Sequence, residues 1–437
     1  MSTSLHHAVT TGDASPLARL QELVRPSNTA SMLRFLAEVV QLQVGKTATL
    51  AKICEAAAPR YRSDQLDSQF LLAAKCFAAL PPARRQAISL HPAFNYWLNG
   101  MQRLVLSHEF EKAAEWSQQL ADFIWAEDQA GLLMGRTWCS RLDDRGGLRC
   151  PAARAFIEFG QRCAGLPVAI TPEPAQIRIE VENQGAVYLP RERLRSDGWS
   201  SGSAVRVALL PLIACDQIEC SARDAGLRVV WRDIMNRTKA IDFFGTTMAT
   251  YPENPALGPY VGAMDKVMRV WPELGMELPL MTRVLVPTDS GAEQRRAATL
   301  PSRNGAIYVD LDDPSLMEEA LVHEHAHIKL RYFQYFDPLM REFENETLRV
   351  QVPWRPDPRP LPGIFEGVFV YSHVAEYALR RSLAEKGEPE SRALLLADWA
   401  RQGMDILAQH SQFSPNGVEL LDRLASWNVE LRRMAAH

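Results

Sequence analysis

The chain has 437 residues, 47% hydrophobic and 23% charged, with a formal net charge of −4. That balance is ordinary for a globular protein and leaves room for two domains, or one large domain with an appendage. It excludes an electrostatic grip on nucleic acid or on an anionic membrane surface.

Seven cysteines, Cys54, Cys76, Cys139, Cys150, Cys163, Cys215 and Cys220, are widely spread, with no C-x-x-C pair. An odd, scattered set predicts free thiols in a reducing cytoplasm, without a disulfide framework or zinc knuckle. The first eleven residues lack the basic flank and apolar core of a secretion signal. No apolar run approaches the ~20 residues of a membrane span. A cytoplasmic location is expected. The sequence does not disclose the oligomeric state.

Residues 1–165 read as an N-terminal helical region. Stretches 31–50 and 103–130 carry apolar residues at helical spacing, and Pro81-Pro82 and 143–147 punctuate them. Residues 166–255 read as a small β-rich region. Ile177-Arg178-Ile179-Glu180-Val181 alternates as a strand does, and Val187-Tyr188-Leu189 follows Gly185 as its hairpin partner. Segments 205–212 and 227–231 are further strand candidates. Residues 256–437 read as a metal-binding region. A helix is expected over 260–271, strands over 281–287 and 306–310, and a loop over 288–304. A long helix over 314–335 has Asp313 as N-cap and Pro314 at its first position. A helical stretch over 342–350, a proline-stiffened turn over 353–362, a helix over 363–383 and closing helices over 388–437 complete the chain. The fold class is α+β, mainly helical, with a small central sheet and a helical metal-binding core.

The 314–335 helix carries His323-Glu324-His325-Ala326-His327, an H-E-x-x-H pattern. Two histidines four apart share a helix face, so both can reach one metal ion, with Glu324 beside it. Chance places such a pattern in about one chain of this length in a hundred. His325 projects about 200° away from His323 and reads as a solvent or supporting histidine. A third ligand is needed. Glu366, His373 and Glu376, spaced seven and three apart, are the candidates. Glu366 is preferred, because an unpaired carboxylate among Ile364, Phe365, Val368 and Phe369 would be costly. Two histidines and a carboxylate suit non-haem Fe(II) and equally a zinc peptidase, and ligand type alone does not choose. In a peptidase Glu324 would be the general base, with Tyr371 or His373 stabilising an oxyanion.

Further residues point one way. Val352-Pro353-Trp354-Arg355-Pro356-Asp357-Pro358-Arg359-Pro360-Leu361-Pro362-Gly363 resembles a P-W-R-x-D-P-R-P-L-x-G element of a bacterial family with an H-E-x-x-H domain. Ser302 to Tyr308, Asp337-Pro338-Leu339, Gly367 to Val370 and Val374-Ala375-Glu376 are similar to the same family. The resemblance is strong over 302–380 and weaker upstream, at Met32-Leu33-Arg34-Phe35-Leu36. It implies an Fe(II)- and 2-oxoglutarate-dependent peptide β-hydroxylase of the H-E-x-x-H type. Such proteins modify ribosomally synthesised precursor peptides in natural-product clusters. In place of Glu366 the family often carries His, so His323 and His327 carry over more firmly. The far carboxylate of 2-oxoglutarate needs a cation, and an arginine fork suits it. Arg355 and Arg359, four apart in the stiffened turn, are the expected anchors, and Trp354 is expected to pack. Glu324 then has no compulsory role beyond orienting a ligand or touching substrate. The alternative remains a zinc metallopeptidase of the gluzincin type.

Overall fold

The computed structural model describes residues 20–26, 29–57, 64–126, 131, 133–150, 154–195, 200–201, 205–214, 217–224, 227–228, 251–252, 255–288, 297–309, 314–341, 348–385 and 391–435. The fold is mainly helical α+β. Among the described residues no helix is long and apolar enough to cross a membrane.

The N-terminal helices are α1 (Leu20–Leu23), α2 (Thr29–Ala57), α3 (Asp64–Ala79), α4 (Pro82–Ser89), α5 (Pro92–Leu106), α6 (Phe110–Ser117) and α7 (Gln119–Ile124). Helix α2 buries Met32, Phe35, Leu36, Val39 and Val40, then Leu50, Ala51 and Cys54, the i, i+3, i+4, i+7 spacing of one apolar stripe. Its first half packs into one hydrophobic core and its second half into another, so it ties the two together. The helix expected over 103–130 is broken. His108 takes a left-handed φ of 57°, which ends α5 and turns the chain into two shorter helices.

The helical reading of 1–165 also overreaches. β1 (Trp138–Arg141), β2 (Gly147–Cys150) and β3 (Ala155–Glu158) lie within it. They are followed by β4 (Pro167–Pro172), β5 (Gln176–Val181), β6 (Gly185–Pro190), β7 (Ser200–Ser201), β8 (Val205–Leu209), β9 (Leu212–Ile213) and β10 (Ile218–Cys220). β5 and β6 form the expected hairpin, with Ile177, Ile179 and Val181 facing the core. Two four-stranded antiparallel sheets result, ordered β1-β4-β5-β6 and β2-β3-β8-β7. Of the strand expected over 227–231, residues 229–231 lie outside the described residues; Leu227 and Arg228 are not in a strand.

Helices α8 (Gly258–Val270) and α9 (Pro272–Met281) return the chain to β11 (Val284–Pro287), which lies parallel to β10. β12 (Ala297–Thr299) occupies part of the expected loop, and β13 (Ala306–Val309) pairs parallel with β11. The sheet order is β12-β13-β11-β10-β9. Its central strands are buried on both faces, as parallel strands are. Leu285, Ile307 and Val309 point into one core; Val284, Val286, Ala306 and Tyr308 point into the other. This sheet is the wall between the cores, and the metal helix α10 (Pro314–Gln334) follows it. Asp313, the expected cap, lies outside the described residues.

After α10, residues 342–347 lie outside the described residues, and Arg349–Val350 is a strand, β14, where a helix was expected. It pairs with β15 (Arg359–Pro360), so the stiffened turn is the tip of a hairpin. Helices α11 (Leu361–Ala384), α12 (Ser391–His410) and α13 (Pro415–Ala435) complete the fold.

Candidate metal centre

Helices α10 and α11 run antiparallel. Three contacts in register show it: the Tyr377 hydroxyl donates to Glu318 Oε2 at 2.8 Å, the rings of His323 and Tyr371 lie 6.0 Å apart, and His327 Nδ1 lies 3.5 Å from Glu366 Oε2. Between Leu321 and Leu330 every residue of α10 is buried except His323 and His327, which are half-buried. The two histidines therefore form the one solvent-open stripe on the middle of this helix, with ring centroids 5.1 Å apart.

The three third-ligand candidates separate cleanly. Glu366 sits at the rim beside His327, 36% exposed. Glu376 is fully buried and accepts hydrogen bonds from Arg25 and Arg380, each at 2.7 Å, and from the Trp427 indole. His373 is fully buried too. Its Nδ1 donates to the Phe369 carbonyl at 2.9 Å, and its ring lies 4.9 Å from Trp427. The shared face foreseen for these residues exists only in part. Two turns beyond Glu366, that side of α11 is covered by Trp271 and Trp427.

Burial pushes His373 down to about 3 from 6.5, with Lys329 adding to the effect. The folded value lies below the unfolded one, so linkage favours unfolding as pH falls from about 6.5 to about 3. Above 6.5 the neutral ring costs nothing; below about 3 both states are protonated and the loss is complete. His373→Leu is expected to flatten the fall in stability across that window, by about 1.4 kcal/mol for each pH unit crossed. Denaturant unfolding at pH 7, 5.5 and 4 checks it. An unchanged slope would show that His373 is not a buried neutral ring.

Glu366, His323 and His327 are neighbours rather than a closed cage. Among the described residues no three His, Cys, Asp or Glu side chains are already converged as ligands. Their chemistry nonetheless fits a divalent ion. His327 Nδ1 is a buried nitrogen with no hydrogen-bond partner among the described residues. Burial, aided by His323, holds the His327 ring well below its ordinary pKa and so in the neutral form that binds metals. Glu324 is buried, 6% exposed, and makes no hydrogen bond or ion pair among the described residues.

Around this centre, Tyr371 stands against His323 and against Trp354, whose ring centroid is 5.4 Å away. Trp354 packs, as expected. Its indole lies over Gly367 and Gly403, and a Cβ at those glycines would come within 3.0 Å of it. Arg359 donates to Asp357 at 3.2 Å, and Arg355 lies 3.7 Å from the same carboxylate. Both arginines act electrostatically on Tyr371 and so belong to the rim, although Asp357 already engages them.

Of the two roles expected for His325, the solvent-facing one needs correcting. His325 faces neither solvent nor the metal side. Fully buried, it sits 3.1 Å from Glu277 Oε1 through Nε2 and 3.1 Å from the Thr282 hydroxyl through Nδ1. Glu277 also accepts two bonds from buried Lys329, at 2.8 and 2.9 Å. Sequence reasoning missed this network because its acid lies on another helix. It also missed Arg331, although His323, His327 and Arg331 follow one spacing of four that extending the motif by a turn would have found. No protein-family model and no curated protein matches this chain, so the functional reading stands on the residues themselves.

Proposed function

We propose that the chain is an Fe(II)- and 2-oxoglutarate-dependent oxygenase that β-hydroxylates a residue of a ribosomally synthesised precursor peptide. The observation that carries it is the meeting of His327 with Glu366 at 3.5 Å, beside His323, on a half-buried face. His323, His327 and Glu366 would hold the iron, a two-histidine, one-carboxylate set that leaves positions open. Iron bound there would supply the oxidative chemistry, in which one atom of dioxygen goes to succinate as 2-oxoglutarate loses CO2 and the other to the substrate Cβ as hydroxyl. The protein's own task is placement and exclusion of water. His327, held neutral by burial, binds without first losing a proton. Tyr371 and Trp354 wall the site beside His323. An arginine near the metal would take the far carboxylate of the co-substrate.

Anaerobic addition of Fe(II) and then 2-oxoglutarate, followed by visible absorption, tests the reading without a peptide. A charge-transfer band is expected. Its absence, with tight retention of zinc, overturns the reading.

One observation favours the zinc metallopeptidase as the second reading. Glu324 is buried beside His323 with no hydrogen-bond partner among the described residues, which leaves it available as a general base, and Tyr371 stands against the same histidine. Glu324→Gln separates the two, because it removes a peptidase's base and leaves the oxygenase ligands in place.

A further inference from the structure

The open stripe on α10 does not stop at the metal ligands. Arg331 lies one turn beyond His327, ~6 Å along the helix axis at 1.5 Å per residue. Among the described residues its one hydrogen bond is to a neutral partner, the Thr299 hydroxyl of β12, at 2.8 Å. Glu366 and Glu324 attract it electrostatically, yet neither makes an ion pair with it among the described residues. Burial pulls its pKa down from 12.5, against those two carboxylates, so it is a largely desolvated cation that uses one of its donors among the described residues. A basic residue in the last turn also complements the helix dipole, but an exposed lysine would do that at lower cost. Beyond it, Tyr335 continues the stripe, with the Lys46 ammonium 5.5 Å from its ring. The end of the stripe is therefore cationic.

We propose that Arg331, assisted by the Thr299 hydroxyl, binds the far carboxylate of 2-oxoglutarate, the role that Arg355 and Arg359 were expected to fill. The inference rests on the oxygenase reading and names its co-substrate anchor. One helical turn separates the metal ligands from Arg331, which matches the span of a five-carbon 2-oxo diacid bound to the metal by its keto end. A divalent ion would balance Glu366 and Glu324, leaving the Arg331 charge for the ligand. Arg355 and Arg359, in contrast, share Asp357 between them.

The test compares 2-oxoglutarate with pyruvate, which keeps the metal-binding keto acid and lacks the far carboxylate. Calorimetric titration of anaerobic, Fe(II)-loaded protein measures both. Wild type is expected to prefer 2-oxoglutarate. In Arg331→Gln its affinity falls by about 30-fold or more while pyruvate binding holds, which also reports an intact site. Arg331→Lys falls between, because the fork is lost and the charge kept. If Arg331→Gln does not fold, the lysine variant decides alone. Arg355→Gln and Arg359→Gln keep the wild-type preference. An unchanged preference in the Arg331 variants, or its loss in Arg355→Gln or Arg359→Gln, overturns the assignment and leaves the oxygenase reading intact. Failure of wild type to bind either keto acid overturns both.

Discussion

Replacing His327 by alanine removes tight Fe(II) binding and leaves the protein folded. The imidazole is half-buried on an open stripe, and its Nδ1 makes no hydrogen bond among the described residues, so little packing is lost with it. What is lost is a ligand. Changes to groups that only support ligands cost 10–100-fold in metal affinity, so loss of a ligand should exceed ~100-fold. His323→Ala should behave alike. Glu366→Ala should weaken binding less, because the two histidines remain and a solvent oxygen can replace a carboxylate oxygen. Glu376→Gln supplies the contrast. It leaves Arg25 and Arg380 beside a buried neutral amide, so stability falls by about 3–5 kcal/mol while the metal face is untouched. Competition with a chromophoric chelator gives the affinities, and thermal unfolding gives the stabilities. Stoichiometric iron retained by His327→Ala would sink the ligand assignment. A folded Glu376→Gln that loses its iron would move the third ligand from Glu366 to Glu376.

Spacing alone could not have separated those two acids. Glu366 and Glu376 lie on one helix, among similar apolar neighbours, and differ only in what covers them. Arg25 and Trp427, which claim Glu376, come from opposite ends of the chain. The local signals did better. The stripe of α2 and the alternation of β5 follow from side-chain periodicity within one element, and the start of α10 from Pro314 at its first position; each was legible. β14 and β15 were not, because two-residue strands carry no period and exist only through each other. β1 to β3 failed for a related reason. Four-residue strands such as Trp138–Arg141 hold too few alternations to be told from helix, and their pairing partners lie up to some fifty residues away. The metal pair was legible because both ligands sit on one helix. His325, Glu277 and Lys329 were not, because their acid comes from α9.

Breaking that buried network is expected to cost as much stability as the loss of Glu376. Glu277, Lys329 and His325 are almost wholly out of water. Burial alone would raise the Glu277 carboxyl, yet Lys329 and His325 hold it down to about 2 from 4.5. Its folded value lies below its unfolded one, so the contribution is complete above about 4.5 and is lost as pH falls toward 2. Lys329→Met leaves an uncompensated buried carboxylate, and Glu277→Gln an uncompensated ammonium. Each should cost about 3–5 kcal/mol at pH 7. The double variant removes both charges and should recover to within about 1–2 kcal/mol of wild type, since a buried ion pair exchanged for uncharged groups is often near neutral. Denaturant unfolding of the four proteins closes the cycle. Single variants within 1 kcal/mol of wild type would show that the pair is not buried as described. The network also grips α10 on the side opposite His323 and His327, so it fixes how the helix is turned toward Glu366. Metal affinity should therefore stay ~10-fold or more below wild type in the double variant although stability returns, the size of effect seen when a ligand's support is lost. Full recovery of both would make the network a stabilising element and nothing more.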